Sequence, residues 1–367
     1  MQTPGEEIRK QLKERNWIQS DLARIIERPL QTINAIIKGK RSITPEMAVS
    51  LGAAFGTEPE KWMLLESKYR LSLAKTNPEK IEQRARLYDY APIKEMERRG
   101  WIPRSTSAEE QEKALCRFFE ISSLNEEPQI NVITRKSTGT QSLSASQKAW
   151  CFRARQLAKA IQVSPFKKAN LNIAASKLRE LAAFPEEARH IPKTLAAFGI
   201  RFLVVEPLPS SKIDGATIWL NDTSPVIAVS LRYNRIDAFW FTLLHEFYHV
   251  VYEDSSIDDD LFGDRQIPTI AKEEAERKAD NKASDQLVPS YKLNSFILRV
   301  SPLFSKKHII QFAHTIKIHP GIIVGQLQHR GEIGYSTNRE LLIKIREIVT
   351  SSTLTDGWGR SITINTN

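Results

Sequence analysis

Residues 241–254 read FTLLHEFYHVVYED, an apolar run that carries His245, Glu246 and His249. Four residues are little more than one helical turn, so on a helix the two imidazoles project from one face. Two imidazoles placed that way can hold one zinc ion from a single rigid element. Glu246 stands beside that face, where a carboxylate can reach an activated water instead of the ion, the position of a general base. Burying three unpaired titratable groups would cost on the order of several kcal/mol. The plainer alternative is a pair of satisfied core histidines.

A metal site needs a further ligand. The segment KEEAERKADNKASDQLVP, residues 272–289, places Ala275, Ala279, Ala283 and Leu287 in a small-residue stripe that lets one helix pack closely on another. Glu276 and Asp280 lie beside that stripe at positions i and i+4. One of these carboxylates can bind the ion while the other orients a ligand histidine from behind and fixes its tautomer. Geometry leaves Glu273, Glu274 and the acids between Asp254 and Asp264 as competitors.

The element that must carry the histidines is a helix. Before it come helical patterns around Trp150–Ala160, Lys167–Phe184 and Leu195, then three β-like runs: IRFLVVE (200–206), ATIWL (216–220) and VIAVSL (226–231). Helices follow to the C-terminus, so this half is expected to be α+β.

FTLLHEFYH, followed by Glu276-Arg277-Lys278-Ala279-Asp280 and Leu287-Val288-Pro289, resembles the ImmA/IrrE family of zinc metallopeptidases. Its pattern is a histidine pair followed roughly twenty-five to thirty residues later by a Glu-x-x-Ala-Asp helix. The interval here is 276 − 249 = 27. The resemblance covers about 150–335, including RYNRIDAFWFTLLHE and IHPGIIVGQLQHRGEIGY (318–335). Lys278, Lys282 and Phe247-Tyr248 depart from the common pattern, and none is a proposed ligand. The resemblance implies a Zn2+ cofactor on His245, His249 and Glu276, with Asp280 behind a ligand histidine and Glu246 as the catalytic base. Tyr248, His314 and His319 are then candidate oxyanion donors, and ATIWL is a candidate edge for a substrate strand.

The second constellation lies near the N-terminus. Leu30–Lys38 reads as a helix with Ile33, Ile36 and Ile37 inward and Gln31, Thr32, Asn34 and Lys38 outward. In a helix-turn-helix the second helix enters the major groove. Gln and Asn suit adenine edges, and Lys38, Lys40 and Arg41 around Gly39 suit phosphates. A bundle with a solvated polar face is the plainer alternative. Thr44-Pro45-Glu46 marks a helix start, and Thr57/Glu60 and Ser107/Glu110 fit capping boxes. The stretch from TPGEEIRK to EPEKWM is similar throughout to HigA-like antitoxins of the Cro/repressor type. That similarity implies a double-stranded DNA operator and a homodimer on two-fold sites.

The charge agrees with a polyanionic partner: 367 residues carry a formal +10, with a pI near 9.4. Cys116 and Cys151 have no paired spacing and read as reduced bystanders. No apolar run of about 18 residues or signal peptide is visible, so no membrane partner and a cytoplasmic location are expected. The expected fold is multidomain. An N-terminal all-α helix-turn-helix bundle (1–75), a helical connector (76–121) and a linker or long loop (122–147) lead to an α+β zincin-like peptidase domain. That domain (148–340) has a small sheet and the His-Glu-x-x-His helix, and a C-terminal helix and tail follow (341–367). The expected function is a DNA-binding, antitoxin-like transcriptional regulator with a zinc-dependent endopeptidase acting on a repressor, a toxin or itself. The alternative is a non-catalytic antitoxin or repressor whose peptidase-like domain binds only metal or a protein partner.

Overall fold

The computed structural model describes residues 3–75, 77–126, 128, 132–136, 143–253 and 269–358. The chain forms two compact units, Met1–Ile81 and Glu82–Asn367.

Five helices build the first unit: α1 (Pro4–Glu14), α2 (Gln19–Ile25), α3 (Leu30–Ile37), α4 (Pro45–Phe55) and α5 (Pro59–Leu73). Their apolar faces close on one core in which Ile8, Leu22, Ile33, Ile36, Leu51 and Trp62 are buried. Local chemistry sets the ends. Thr3 and Glu6 form a capping box on α1, and the Thr44 hydroxyl accepts the Met47 N–H at the start of α4. Gly39 takes φ +70 just past α3, where a Cβ would also meet the Tyr69 hydroxyl at 2.6 Å. Between α2 and α3 the left-handed residue is Glu27, at φ +52. Ile18 supplies no side-chain cap to α2, and Asp21 reaches back to accept the Ile18 N–H at 2.9 Å.

Two capping boxes expected from sequence are replaced by other bonds. The Thr57 hydroxyl accepts the Trp62 indole N–H at 2.9 Å, and α5 is capped at Glu58 without a side-chain bond. Ser107 does cap α8 (Ala108–Phe119) by position, but Glu110 accepts from the Ser105 hydroxyl at 2.5 Å. In both places a nearby partner took the group that the pattern had assigned.

The second unit is built on a five-stranded mixed sheet in the order β1-β3-β4-β2-β5. The strands are β1 (Val132–Lys136), β2 (Arg201–Val204), β3 (Ile213–Trp219), β4 (Pro225–Val229) and β5 (Leu354–Thr355). β1, β3 and β4 run antiparallel in turn, while β2 lies parallel to β4 and β5. Leu203, Ala216, Ile218, Val226 and Ala228 face one core, which also receives Leu87, Leu115, Phe118 and Trp150. Within the segment 76–121, read as a connector, Leu87, Leu115 and Phe118 therefore contribute side chains to one face of this sheet. Trp150 lies on α9 (Ala145–Ala158) and donates its indole N–H to the Val205 carbonyl.

On the opposite face Phe202, Val204, Ile227 and Val229 meet α12 (Ile236–Tyr252) and the helices around it. Those helices are α10 (Leu171–Leu181), α11 (Ile191–Ala197), α13 (Thr269–Leu287), α14 (Ser290–Val300), α15 (Lys306–Ile316) and α16 (Pro320–His329). A central sheet covered on both faces needs apolar residues on both, which is why β4 is buried along its whole length.

β1 changes two expectations. It lies inside the segment read as a linker or long loop, where Val132, Ile133 and Thr134 are strand formers. It also pairs with β3, Ile133 opposite Thr217, so ATIWL is an interior strand and its edge is taken by this chain.

Candidate metal centre and candidate nucleic-acid interface

α12 presents His245, Glu246 and His249 toward its neighbours, and all three are fully buried. α13 crosses it at the alanine stripe, with Ala279 and Ala283 also fully buried, and the missing side-chain bulk brings the helices close. That approach places Glu276 and Asp280 on the histidines. Asp280 Oδ1 lies 2.8 Å from His245 Nδ1. A carboxylate at that distance accepts the Nδ1 proton, so Nε2 turns its lone pair inward. His245 Nε2 lies 2.9 Å from His249 Nε2 and 3.2 Å from Glu276 Oε2. His249 Nε2 is 3.8 Å from the same carboxylate oxygen.

Ligand atoms of His245, His249 and Glu276 thus lie within 4.8 Å of one another. Lone pairs at such spacing repel unless a proton or cation stands between them. Nitrogen and oxygen donors in this number suit zinc, which takes His nitrogen and carboxylate oxygen at about 2.0–2.2 Å. The residues present therefore fit the ion. The same crowding holds a proton on the cluster, which a metal ion must displace when it binds. Burial pushes the His245 pKa down, but Asp280 and Glu276 outweigh it and the net shift is upward. Burial pushes Glu276 up, but its bonds to both histidines hold it well below the usual carboxylate range.

Glu246 is held by the sheet. The Thr217 hydroxyl lies 2.9 Å from Glu246 Oε2 and 2.8 Å from the Glu246 backbone carbonyl. One hydroxyl proton serves only one of the two acceptors at a time, and burial raises the Glu246 pKa. Glu246 Oε1 has no hydrogen-bond partner among the described residues. Gly215 lies directly beneath: a Cβ there would sit 2.9 Å from Glu246 Oε1 and 2.8 Å from Thr242 Cγ2. Neither Thr217 nor Gly215 was named from sequence. A glycine inside a strand pattern was the available signal, since it often marks a close approach.

Of the competing acids, Glu274 is exposed, residues 254–264 lie outside the described residues, and so does the Glu273 side chain. The three candidate oxyanion donors are directed elsewhere. Tyr248 donates to Gln286 Oε1 at 3.1 Å, and burial has pushed its pKa up to about 12. Gln286 is ten residues beyond Glu276 on α13, about 15 Å along the axis. His319 caps α16, its Nδ1 accepting the Gly321 N–H, and burial pushes its pKa down. His314 is exposed on α15.

In the first unit α3 buries Ile33, Ile36 and Ile37 and leaves Gln31 exposed, with Thr32 and Asn34 half-buried. Lys38, Lys40 and Arg41 are exposed just beyond it. Arg41 donates to the Thr32 hydroxyl at 3.4 Å, which ties the basic turn to the helix. Asn34 opens onto a hollow that Arg9, Lys13, Gln19 and Ser20 also line. These four were missed from sequence because their helices gave no reason to place them beside α3.

Residues 8–62 match the helix-turn-helix family. Over 71 residues the chain is 34% identical to the uncharacterized HTH-type transcriptional regulator YddM of Escherichia coli (strain K12), a match spanning 19% of this chain and 76% of that protein. Among the described residues no helix is long and apolar enough to cross a membrane. With five helices in place, a polar-faced α3 and basic groups around it, the chain belongs through its first unit to the helix-turn-helix, DNA-binding transcriptional regulators.

Proposed function

We propose that the chain is an antitoxin-like regulator whose second unit is a zinc-dependent endopeptidase of the ImmA/IrrE type, zincin-like in fold, acting on a repressor, a toxin or the chain itself. The observation that carries this reading is the convergence of His245 Nε2, His249 Nε2 and Glu276 Oε2, with Asp280 behind His245. His245, His249 and Glu276 would hold the ion, and Asp280 fixes the His245 tautomer. When bound, zinc polarises a scissile carbonyl and makes water a nucleophile at neutral pH. Glu246 Oε1, without a hydrogen-bond partner among the described residues, is the atom that takes the proton of the attacking water and passes it to the leaving amine. A carboxyl whose pKa is raised by burial suits both directions of that transfer. Thr217 and Gly215 keep it in place from the sheet side.

The first unit supplies the address. Gln31, Thr32 and Asn34 read base edges of a duplex operator, and Lys38, Lys40 and Arg41 hold phosphates, with a homodimer matching a two-fold site. The test is metal analysis of the purified full chain, together with cleavage of proteins encoded beside it. About one zinc per chain, with cleavage that stops in Glu246→Gln, supports the reading. Zinc without cleavage leaves a metal-binding regulator, and no zinc removes the peptidase assignment.

A further inference from the structure

The groove between α12 and α13 does not end at the metal ligands. One turn before His245, Phe241 lies on the same face of α12, its ring centroid 6.2 Å from that of His245. Four residues beyond Asp280, Ser284 occupies the corresponding place on α13. Between them, and closed by α16, is a hollow of about 180 Å³. Sites that take whole small ligands run to about 300–1,000 Å³, so this one has room for a single side chain. An extended peptide advances about 3.3 Å per residue, which puts the hollow one or two residues from a bond lying at the ligands.

Its chemistry is narrow. Leu287 and Ile322 are buried apolar walls, and Phe241 forms the side toward the histidines. The two opposite charges in its lining neutralise each other, Arg235 gripping Asp237 through Nη2–Oδ2 at 2.6 Å and Nε–Oδ1 at 3.1 Å, and the exposed His329 and Tyr335 stand on the solvent side. Gln326 gives its amide N–H to the Ser284 carbonyl at 2.9 Å. Asp237 also packs against Gly325, where only a residue without a Cβ leaves room for the carboxylate, 2.4 Å from where the Cβ would be.

From this arrangement we infer that the hollow is the side-chain pocket that selects the substrate, taking a bulky uncharged residue of leucine or phenylalanine type next to the cleaved bond. The inference rests on the peptidase reading for the word substrate, but the pocket itself can be probed without metal or turnover.

The probe is N-acetylphenylalaninamide or N-acetylleucinamide, titrated into the full-length Glu246→Gln protein carrying labelled methyl groups, with and without chelator. The Leu287 and Ile322 methyl signals are expected to shift, with affinity at least tenfold above that for N-acetyllysinamide or N-acetylaspartamide. Ala238→Leu, which fills the hollow from α12, is expected to remove the binding while zinc content stays the same. If that variant fails to fold, Ser284→Leu fills the same space from α13. Equal binding of the charged amides, or binding indifferent to both fillings, overturns the pocket. Binding that persists in chelator, when the wild-type chain neither retains zinc nor cleaves, sinks the peptidase reading and leaves the side-chain site standing. Zinc and cleavage with no enrichment of bulky uncharged residues beside the bond would do the reverse.

Discussion

α3 and α12 each carry polar groups at helical spacing beside an apolar face, yet they put them in opposite surroundings. On α3 the polar residues look outward, and water satisfies them whatever else they do. On α12 the two histidines and the glutamate are fully buried, so their partners must be found inside the protein. The difference decides how much a structure can say by itself. An exposed polar face is compatible with a solvated bundle, and its assignment leans on the helix-turn-helix family match. A buried cluster has to display its chemistry, and this one does so through three converging lone pairs and a carboxylate behind one ring.

The contrast can be broken most forcefully at His245. His245→Ala is expected to lower bound zinc from about one per chain to less than a tenth, by mass spectrometry, while salt-dependent duplex binding by the first unit stays as it was. Retained zinc would mean that the cluster is a hydrogen-bonded core. Next in size, Glu246→Gln is expected to keep the zinc and lower cleavage about 10²–10⁴-fold, the usual weight of general base catalysis. On the exposed side, Asn34→Ala is expected to cost about 1–3 kcal/mol of discrimination among duplexes in a site-selection experiment. Lys38→Ala should lower the slope of log affinity against log salt by about 1 without changing the preferred sequence. Binding insensitive to salt would return α3 to a merely solvated face.

Two smaller effects sharpen the comparison through stability. Gly215→Ala is expected to destabilise the second unit by about 1–3 kcal/mol, as overpacking does, and to lower its thermal transition alone. In the first unit, burial pushes the Glu7 carboxyl up, but Lys61 at 2.5 Å and Gln11 at 3.1 Å outweigh it and hold the pKa below the ordinary 4.5. A depressed carboxyl stabilises the fold fully above its unfolded value and loses that contribution as pH falls through the folded value. The resistance of the first unit to denaturant should therefore fall with acid below about pH 4.5, and Lys61→Met should flatten that dependence.

Much of this was legible in the sequence where the signal is local. The Ile33, Ile36 and Ile37 period, the Thr44-Pro45-Glu46 start and the His245–His249 spacing each describe one helix, and each is seen. Glu276 and Asp280 needed more, since periodicity left Glu273, Glu274 and the acids upstream in competition. The family resemblance singled out Glu276, and the crossing of α12 and α13 gives it its place beside the rings. What the sequence did not yield is tertiary. A hydroxyl from β3 reaches Glu246, a strand from 132–136 takes the edge beside ATIWL, and Trp62 claims the hydroxyl of Thr57. A three-residue pattern carries no information on which distant group will arrive first.

Gly215 has one further consequence. The distance between α12 and the sheet is set at that point by an atom that is not there, so the working tolerance of the carboxylate is less than one methyl group. Strand and helix are separate in sequence, but any shift in the register of β3 would carry a side chain into the space now held by Glu246. The sheet thus serves as a gauge for the helix, and the alignment of backbone hydrogen bonds between β3 and β4 is part of what positions the Glu246 carboxyl.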